Sequence, residues 1–256
     1  MSSNLLVQPE NTYWHFLHES RCLQHDDGRP VVVGETLRVA GAPILCKHGL
    51  HASARAIDAL SNAPGAVACL VTLGGEIAHS QDKSAAQERT VLWMVDATRL
   101  LRDFACDVAE GALIRERERG REPDPRSWAA IEVMRRFLRG DASNSEGRTA
   151  WAGADAAWAA AYAAAWAAAS NASNASNAAA DAAKAAANAA YAAMRAAYAA
   201  ASVAAYADAA RLAYVADHAA AYAASYAAFN ERLTQMLLAA GQAQTDLKQA
   251  SQKEAN

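Results

Sequence analysis

The chain has no basic block. Its 24 Lys and Arg against 27 Asp and Glu leave a formal charge of −3, a balance that gives no footing for general electrostatic binding to nucleic acid. Cysteine is scarce: Cys22, Cys46, Cys69 and Cys106 are widely spaced and form no Cys-x-x-Cys pair. In a chain of this size that excludes a disulfide framework and leaves reduced thiols. Residues 1–16 lack a basic stretch followed by an apolar run, so no secretory signal is expected. Long uninterrupted apolar runs are missing too, because Asp155, Asp181, Lys184, Arg195, Asp208, Arg211 and Asp217 break up the alanine-rich stretch, and no membrane span is expected. The expectation is a cytoplasmic protein. Local sequence favours no Ser-His-Asp or Cys-His arrangement, and Gly74-Gly75 lacks the lysine and spacing of a phosphate loop.

What the chain does have is alanine. Residues 151–228 hold 46 alanines in 78 positions, and most of the remainder are Trp, Tyr, Ser, Asn or Asp. Alanine is the best helix former and loses no rotamer entropy in a helix, so this stretch is expected to be helical almost throughout. The first 150 residues have ordinary globular composition, and a shift this sharp within 256 residues implies two domains. The clearest boundary is Gly120-Arg121-Glu122-Pro123-Asp124-Pro125, preceded by the charge-alternating Arg115-Glu116-Arg117-Glu118-Arg119, which reads as a solvated helix end. The fold class expected is α+β: a small mixed domain over 1–119, an alanine-rich all-α bundle over 120–241, and a polar tail over 242–256.

In the first domain, Tyr13 to Leu17 is aromatic and apolar like a strand, and Asp27-Gly28 signals a turn. Val31-Val32-Val33 and Leu37-Arg38-Val39 flank Gly34, which suggests a hairpin. Ser53 is placed as the N-cap of a short helix through Leu60. Val67 to Leu73 reads as a buried strand ended by Gly74-Gly75, and Thr90 to Val95 as another. Asp96 would then cap a helix from about Thr98 to Arg119. Five or six strands are expected in all. Gly49 is expected at a turn with positive φ. Cys46, His48 and His51 have no clear fourth ligand beside them, so no metal is expected.

The runs Leu45-Cys46-Lys47-His48-Gly49-Leu50-His51-Ala52-Ser53, Ala63-Pro64-Gly65, Gly75-Glu76-Ile77 and Asp82-Lys83-Ser84-Ala85-Ala86 resemble an uncharacterised domain of phages and bacteria, over roughly residues 13–108. That resemblance carries no activity. Tyr13-Trp14-His15, Gly49-Leu50-His51-Ala52-Ser53 and Leu70-Val71-Thr72-Leu73-Gly74 also resemble, in order, the ADP-ribosyltransferase fold. The resemblance implies NAD as cofactor, His15 hydrogen-bonding the nicotinamide ribose, and His51 standing where an aromatic stacks on nicotinamide. It also implies a late acid, Glu88 or Asp96, that polarises the ribose. Read from its surroundings alone, His15 is a core or surface histidine in an aromatic strand.

In the second domain, Asp124 is a good N-cap with Pro125 at the first helical position. The helix to Arg139 puts Trp128, Ile131, Met134 or Arg135, and Leu138 on one face, and Gly140 ends it. The segment Asp124-Pro125-Arg126 through Phe137-Leu138-Arg139-Gly140-Asp141, with Asp217-His218-Ala219 later, is similar to a family of alanine-rich immunity proteins from polymorphic-toxin loci. That resemblance implies a protein partner, a toxin, occluded by surface complementarity. Trp151, Trp158, Tyr162 and Trp166 fall within an arc of about 80° on one helix face. The series Tyr191, Tyr198, Tyr206, Tyr214, Tyr222, Tyr226 winds around a straight helix, and an unbroken helix would be about 117 Å long. A bundle broken at Ser170–Asn177 is more economical. Such aromatic rows are usually core. Tyr206, Tyr214, Tyr222 and His218 are the residues that would serve as a binding face. Phe229 to Ala240 continues amphipathic through Leu233, Met236, Leu237 and Leu238, and 242–256 is expected to fray. The functional expectation is a non-enzymatic binding protein, of immunity or phage-encoded interaction type, without cofactor. The alternatives are an ADP-ribosyltransferase-like enzyme or nicotinamide-nucleotide-binding domain, using His15, His51 and Glu88, and a structural phage component.

Overall fold

A computed structural model of the chain describes residues 6–24, 27–118, 120, 122–150, 152, 153, 156 and 222–254. The expected break at 170–177 and the residues Tyr206, Tyr214 and His218 lie outside the described residues, as does the side chain of Tyr222. The chain divides into two units, Met1–Leu100 together with Asn230–Asn256, and Leu101–Phe229.

Unit 1 is built on an antiparallel sheet. Its strands are β1 (Thr12–Leu17), β2 (Thr36–Arg38), β3 (Leu50–Ala52), β4 (Val67–His79) and β5 (Ser84–Asp96). They run in the order β1-β4-β5-β2, with β3 also paired to β5. The α+β expectation holds for these elements. The register His15↔Cys69↔Met94 puts these three on one face, and Trp14↔Leu70↔Trp93 puts the next three on the other, as the two-residue period of a strand requires. Every residue from Val67 to Val71 is buried, the mark of a strand covered on both sides. On the first face, Leu17, Val67, Cys69, Val71, Val91 and Met94 pack with Val31 and with Ala52 of β3.

Three local expectations are corrected. Gly74-Gly75 does not end β4: the β4–β5 register shifts between Gly74 and Ile77 and the strand runs on to His79. The two glycines mark a bulge, where Glu76 N–H donates to Gln87 Oε1 at 2.9 Å and the ladder resumes at Ile77↔Ala86. No hairpin forms around Gly34. Val33 bridges Val91, and β2 pairs with β5 instead, because the long strand offers a ladder that a two-stranded ribbon could not match. Ser53 is not a helix cap. Its main chain exchanges hydrogen bonds with Trp14 at 2.7 and 2.9 Å, so α1 (Ala56–Ser61) starts after Arg55, which makes no side-chain capping bond.

That missing cap is supplied from the far end of the chain. The helix α4 (Tyr222–Glu254) contributes Asn230, whose Oδ1 accepts Ile57 N–H at 3.2 Å. Further along, the Gln235 side chain brackets Leu6, accepting from its N–H at 2.9 Å and donating to its carbonyl at 2.8 Å. Leu233 and Leu237 are fully buried. At Gly241 the backbone comes so close to Trp93 that a Cβ would lie 2.5 Å from the indole. Helix continues through the polar residues to Glu254, where fraying was expected.

Unit 2 is described in α2 (Thr98–Glu118, from Leu101 onward), α3 (Pro125–Arg139) and a helical stretch over 144–150. Asp96 Oδ1 accepts Thr98 N–H at 2.9 Å at the start of α2. Asp124 caps α3 through Arg126 N–H at 2.9 Å, and left-handed Gly140 ends it. The buried face of α3 is Ser127, Ala130, Ile131 and Met134. Trp128 lies instead under the guanidinium of Arg117, 5.3 Å from the ring centre. Arg135 reaches three acids on one face of α2, Asp103 at 3.3 Å, Asp107 at 3.0 Å and Glu110 at 2.5 Å, which pins α3 to α2. Ser143 and Glu146 form a reciprocal capping box, Ser143 N–H to Glu146 Oε2 at 2.8 Å and Glu146 N–H to Ser143 Oγ at 3.2 Å, where the sequence reads as a simple break. The alanine-rich bundle itself falls on residues outside this description.

Candidate functional site

A cleft of about 720 Å³ lies in unit 1, lined by β1, the loop residues 22–24 and 46–49, β3, the end of α1, Lys83 and Arg89. Its size suits a small organic ligand. His15 on β1 and His51 on β3, chosen from sequence on separate motifs, both line it. The strand pairings explain the meeting: the β1 residue Trp14 bridges Ser53, directly after β3, which carries His51 up to the strand of His15.

The loop before β3 fixes the His51 ring. Ile44 and His48 close a tight turn through Ile44 N–H to His48 carbonyl and the reverse bond, both 2.8 Å. Cys46 at its tip takes φ 62° and Gly49 φ 118°, as expected for Gly49. A side chain at Gly49 would put its Cβ 3.2 Å from both Ala85 and Pro43. The turn aims Cys46 N–H at His51 Nε2, 3.1 Å away. A nitrogen that accepts carries no proton, which places the ring proton on Nδ1. His48 Nε2 is bound to the Ala40 carbonyl at 2.6 Å. Among the described residues, no three His, Cys, Asp or Glu side chains gather as a metal site.

Sequence reasoning missed the residue at the cleft floor. Arg89 on β5 is 2 % exposed. Its Nη1 donates to the His51 carbonyl at 2.8 Å, while its Nε and Nη2 are buried without a hydrogen-bond partner. Burial pulls its pKa down to about 10, partly offset by the neighbouring Cys69, so it remains charged at neutral pH. Cys69 offers no counter-charge, since burial pushes its thiol up to about 12. The half-buried His15 is held well below 6.5, first by desolvation, then by the Arg89 charge and by His51, against a smaller pull from the His51 main chain. Lys47 and Lys83 add positive charge to the wall, Lys83 with Asp82 3.7 Å away. Among the described lining residues the one carboxylate is Asp27, which Arg29 holds at 2.7 and 2.8 Å.

The acid candidates stand elsewhere. Glu88 adjoins Arg89 in β5 and therefore points to the other face. There it pairs with Arg38 at 2.9 Å and lies over Gly74. Asp96 caps α2. The cleft thus gathers three histidines, His15, His48 and His51, and a buried arginine, without either acid.

Residues 21–103 match the family described as Domain of unknown function (DUF7666). That agrees with an uncharacterised domain in this part of the chain. The match includes His51 and Arg89 and begins after His15. No curated protein and no solved structure matches the chain. All four cysteines are free, and no helix among the described residues is long and apolar enough to cross a membrane.

Proposed function

We propose that this is a non-enzymatic binding protein whose unit 1 takes a nucleotide of the nicotinamide or ADP-ribose type in the cleft between His15 and His51. The observation that carries the reading is the convergence of His15, His51 and Arg89 on one cleft. A neutral imidazole at His15 is a hydrogen-bond partner for ribose hydroxyls, and the cationic surroundings favour an anionic ligand over a neutral or cationic one. Binding without transfer is supported by the position of Glu88, tied to Arg38 away from the cleft. An ADP-ribosyltransferase needs a carboxylate beside the ribose to stabilise the cation that forms there.

In the same reading the alanine-rich stretch forms the helical bundle, with Tyr206, Tyr214, Tyr222 and His218 as contacts for a protein partner, in the manner of an immunity or phage-encoded interaction protein. Its composition supports this, since small faces allow close helix approach and the aromatics supply most of the area a bundle or a partner could bury.

Titration calorimetry of the full chain with NAD, ADP-ribose and ADP tests the cleft. Saturable binding is expected, weakened at least tenfold (about 1.4 kcal/mol) in His15→Ala, with no nicotinamide released on long incubation with NAD. Absence of binding to all three nucleotides overturns the nucleotide reading. Release of nicotinamide overturns the non-enzymatic one.

A further inference from the structure

Arg89 is an anomaly in energetic terms. A guanidinium taken out of water is expected to be met by a carboxylate or by a full set of acceptors, because an uncompensated buried charge is among the costliest features a fold can carry. Here one nitrogen of three is satisfied, by a carbonyl. The two that are not, Nε and Nη2, have parallel N–H bonds along one edge of the guanidinium. That edge is the fork that receives two oxygens of one carboxylate or phosphate. The bond from Nη1 to the His51 carbonyl fixes the plane of the group and leaves the fork unused.

We infer that the free edge of Arg89 is the anion-reading element of the cleft, seating two oxygens of a single oxyanion, phosphate or carboxylate, between itself and the histidine rings. The inference rests on the reading of this cleft as a ligand site and specifies what the ligand must bring to it. His51 accepts from the guanidinium through its carbonyl, and His15, Lys47 and Lys83 line the same cleft. The anion therefore meets several donors and no facing carboxylate, since Asp27 is occupied by Arg29. Arg89 lines the cleft and is only 2 % exposed, so an anion that reaches its edge is itself taken out of water. The charge that destabilises the empty protein becomes paired in the filled one.

This arrangement separates binding from stability in a way a structural arginine would not. The test is the melting temperature of the full chain at constant ionic strength, with inorganic phosphate, pyrophosphate, malonate and chloride, for wild type, Arg89→Met and Arg89→Lys. The wild type is expected to melt higher with phosphate or pyrophosphate, or with malonate if carboxylate is the preferred group, and not with chloride. Arg89→Met, of similar length and without charge, is expected to melt above the wild type when no anion is present and to gain nothing when one is added. Arg89→Lys keeps the charge and loses the fork, so its response should need at least tenfold more anion. An undiminished response in Arg89→Met or Arg89→Lys, or no response of the wild type to any oxyanion, overturns the assignment. A wild type that answers to oxyanions but not to NAD or ADP-ribose keeps Arg89 in this role and removes the nucleotide. Nucleotide binding unchanged in both variants does the reverse.

Discussion

His15 stays neutral in the fold because its surroundings disfavour the charged ring, and that has a measurable sign. Desolvation, Arg89 and His51 together hold its pKa well below 6.5, while in the unfolded chain it titrates near that value. Below about pH 6.5 the unfolded state takes up a proton that the folded state refuses. The stability linked to His15 is therefore full above that pH and is lost as pH falls toward the folded pKa, by at most about 1.4 kcal/mol per pH unit for one proton. Urea unfolding at pH 7.5 and 5.5 should show this loss in the wild type and a smaller one in His15→Asn. An identical loss in both would assign the proton to another group. The two histidines were legible in the sequence because each sits in a short motif. Arg89 was not. It lies in Gln87-Glu88-Arg89-Thr90, a polar run that reads as solvated. Its burial depends on chain distant in sequence, with His51 of β3 accepting from its Nη1 and His15 of β1 lining the same cleft, and no local pattern encodes that meeting.

At the scale of elements, strand and helix ends were readable wherever a side chain makes them. Asp96 and Asp124 cap α2 and α3 as their positions suggest. Ends set by other parts of the chain were not readable. Ser53 has the right chemistry for a cap but is taken up by Trp14, and α1 finds its acceptor in Asn230. The same holds for Gly241. Within α4 it looks like a weak point, since glycine costs about 1 kcal/mol against alanine in a helix interior. Its contact with Trp93, whose ring lies edge-on to Trp14 at 5.8 Å, reverses that judgement. Three indole atoms lie 2.5 to 2.8 Å from the position of an added Cβ, and overpacking costs about 1–3 kcal/mol, more than the propensity gained. Gly241→Leu should lower the urea midpoint and shift tryptophan emission. A midpoint equal to or above that of the wild type would mean that the indole moves aside freely.

At the scale of the molecule, unit 1 is assembled from both ends of the chain. Composition places the boundary near residue 120 and assigns everything up to 241 to the helical part, since nothing in Leu233 or Leu237 says which surface buries them. In the structure these residues belong to unit 1. Each buried leucine stabilises by about 1.5–3 kcal/mol, and the Asn230 cap and the Gln235 bracket on Leu6 add to that. A typical domain stability is about 5–15 kcal/mol, so a chain ended at residue 229 should lose most of the stability of unit 1. Near-ultraviolet circular dichroism from Trp14 and Trp93 should collapse in that chain and recover when a peptide of residues 227–254 is added. A full signal without the peptide would show that the sheet stands without α4.

The dependence on α4 also sets an order of events during synthesis. The strands of the sheet leave the ribosome early, but the residues that cap α1 and cover Trp93 follow only after the whole of Leu101–Phe229 has been made. Closing a loop of that length costs about 4 kcal/mol of chain entropy before any contact repays it. Until then the nascent sheet presents Trp93 to whatever surrounds it. The long interval between the two halves of this unit is a window in which chaperones, rather than the fold, must protect that face.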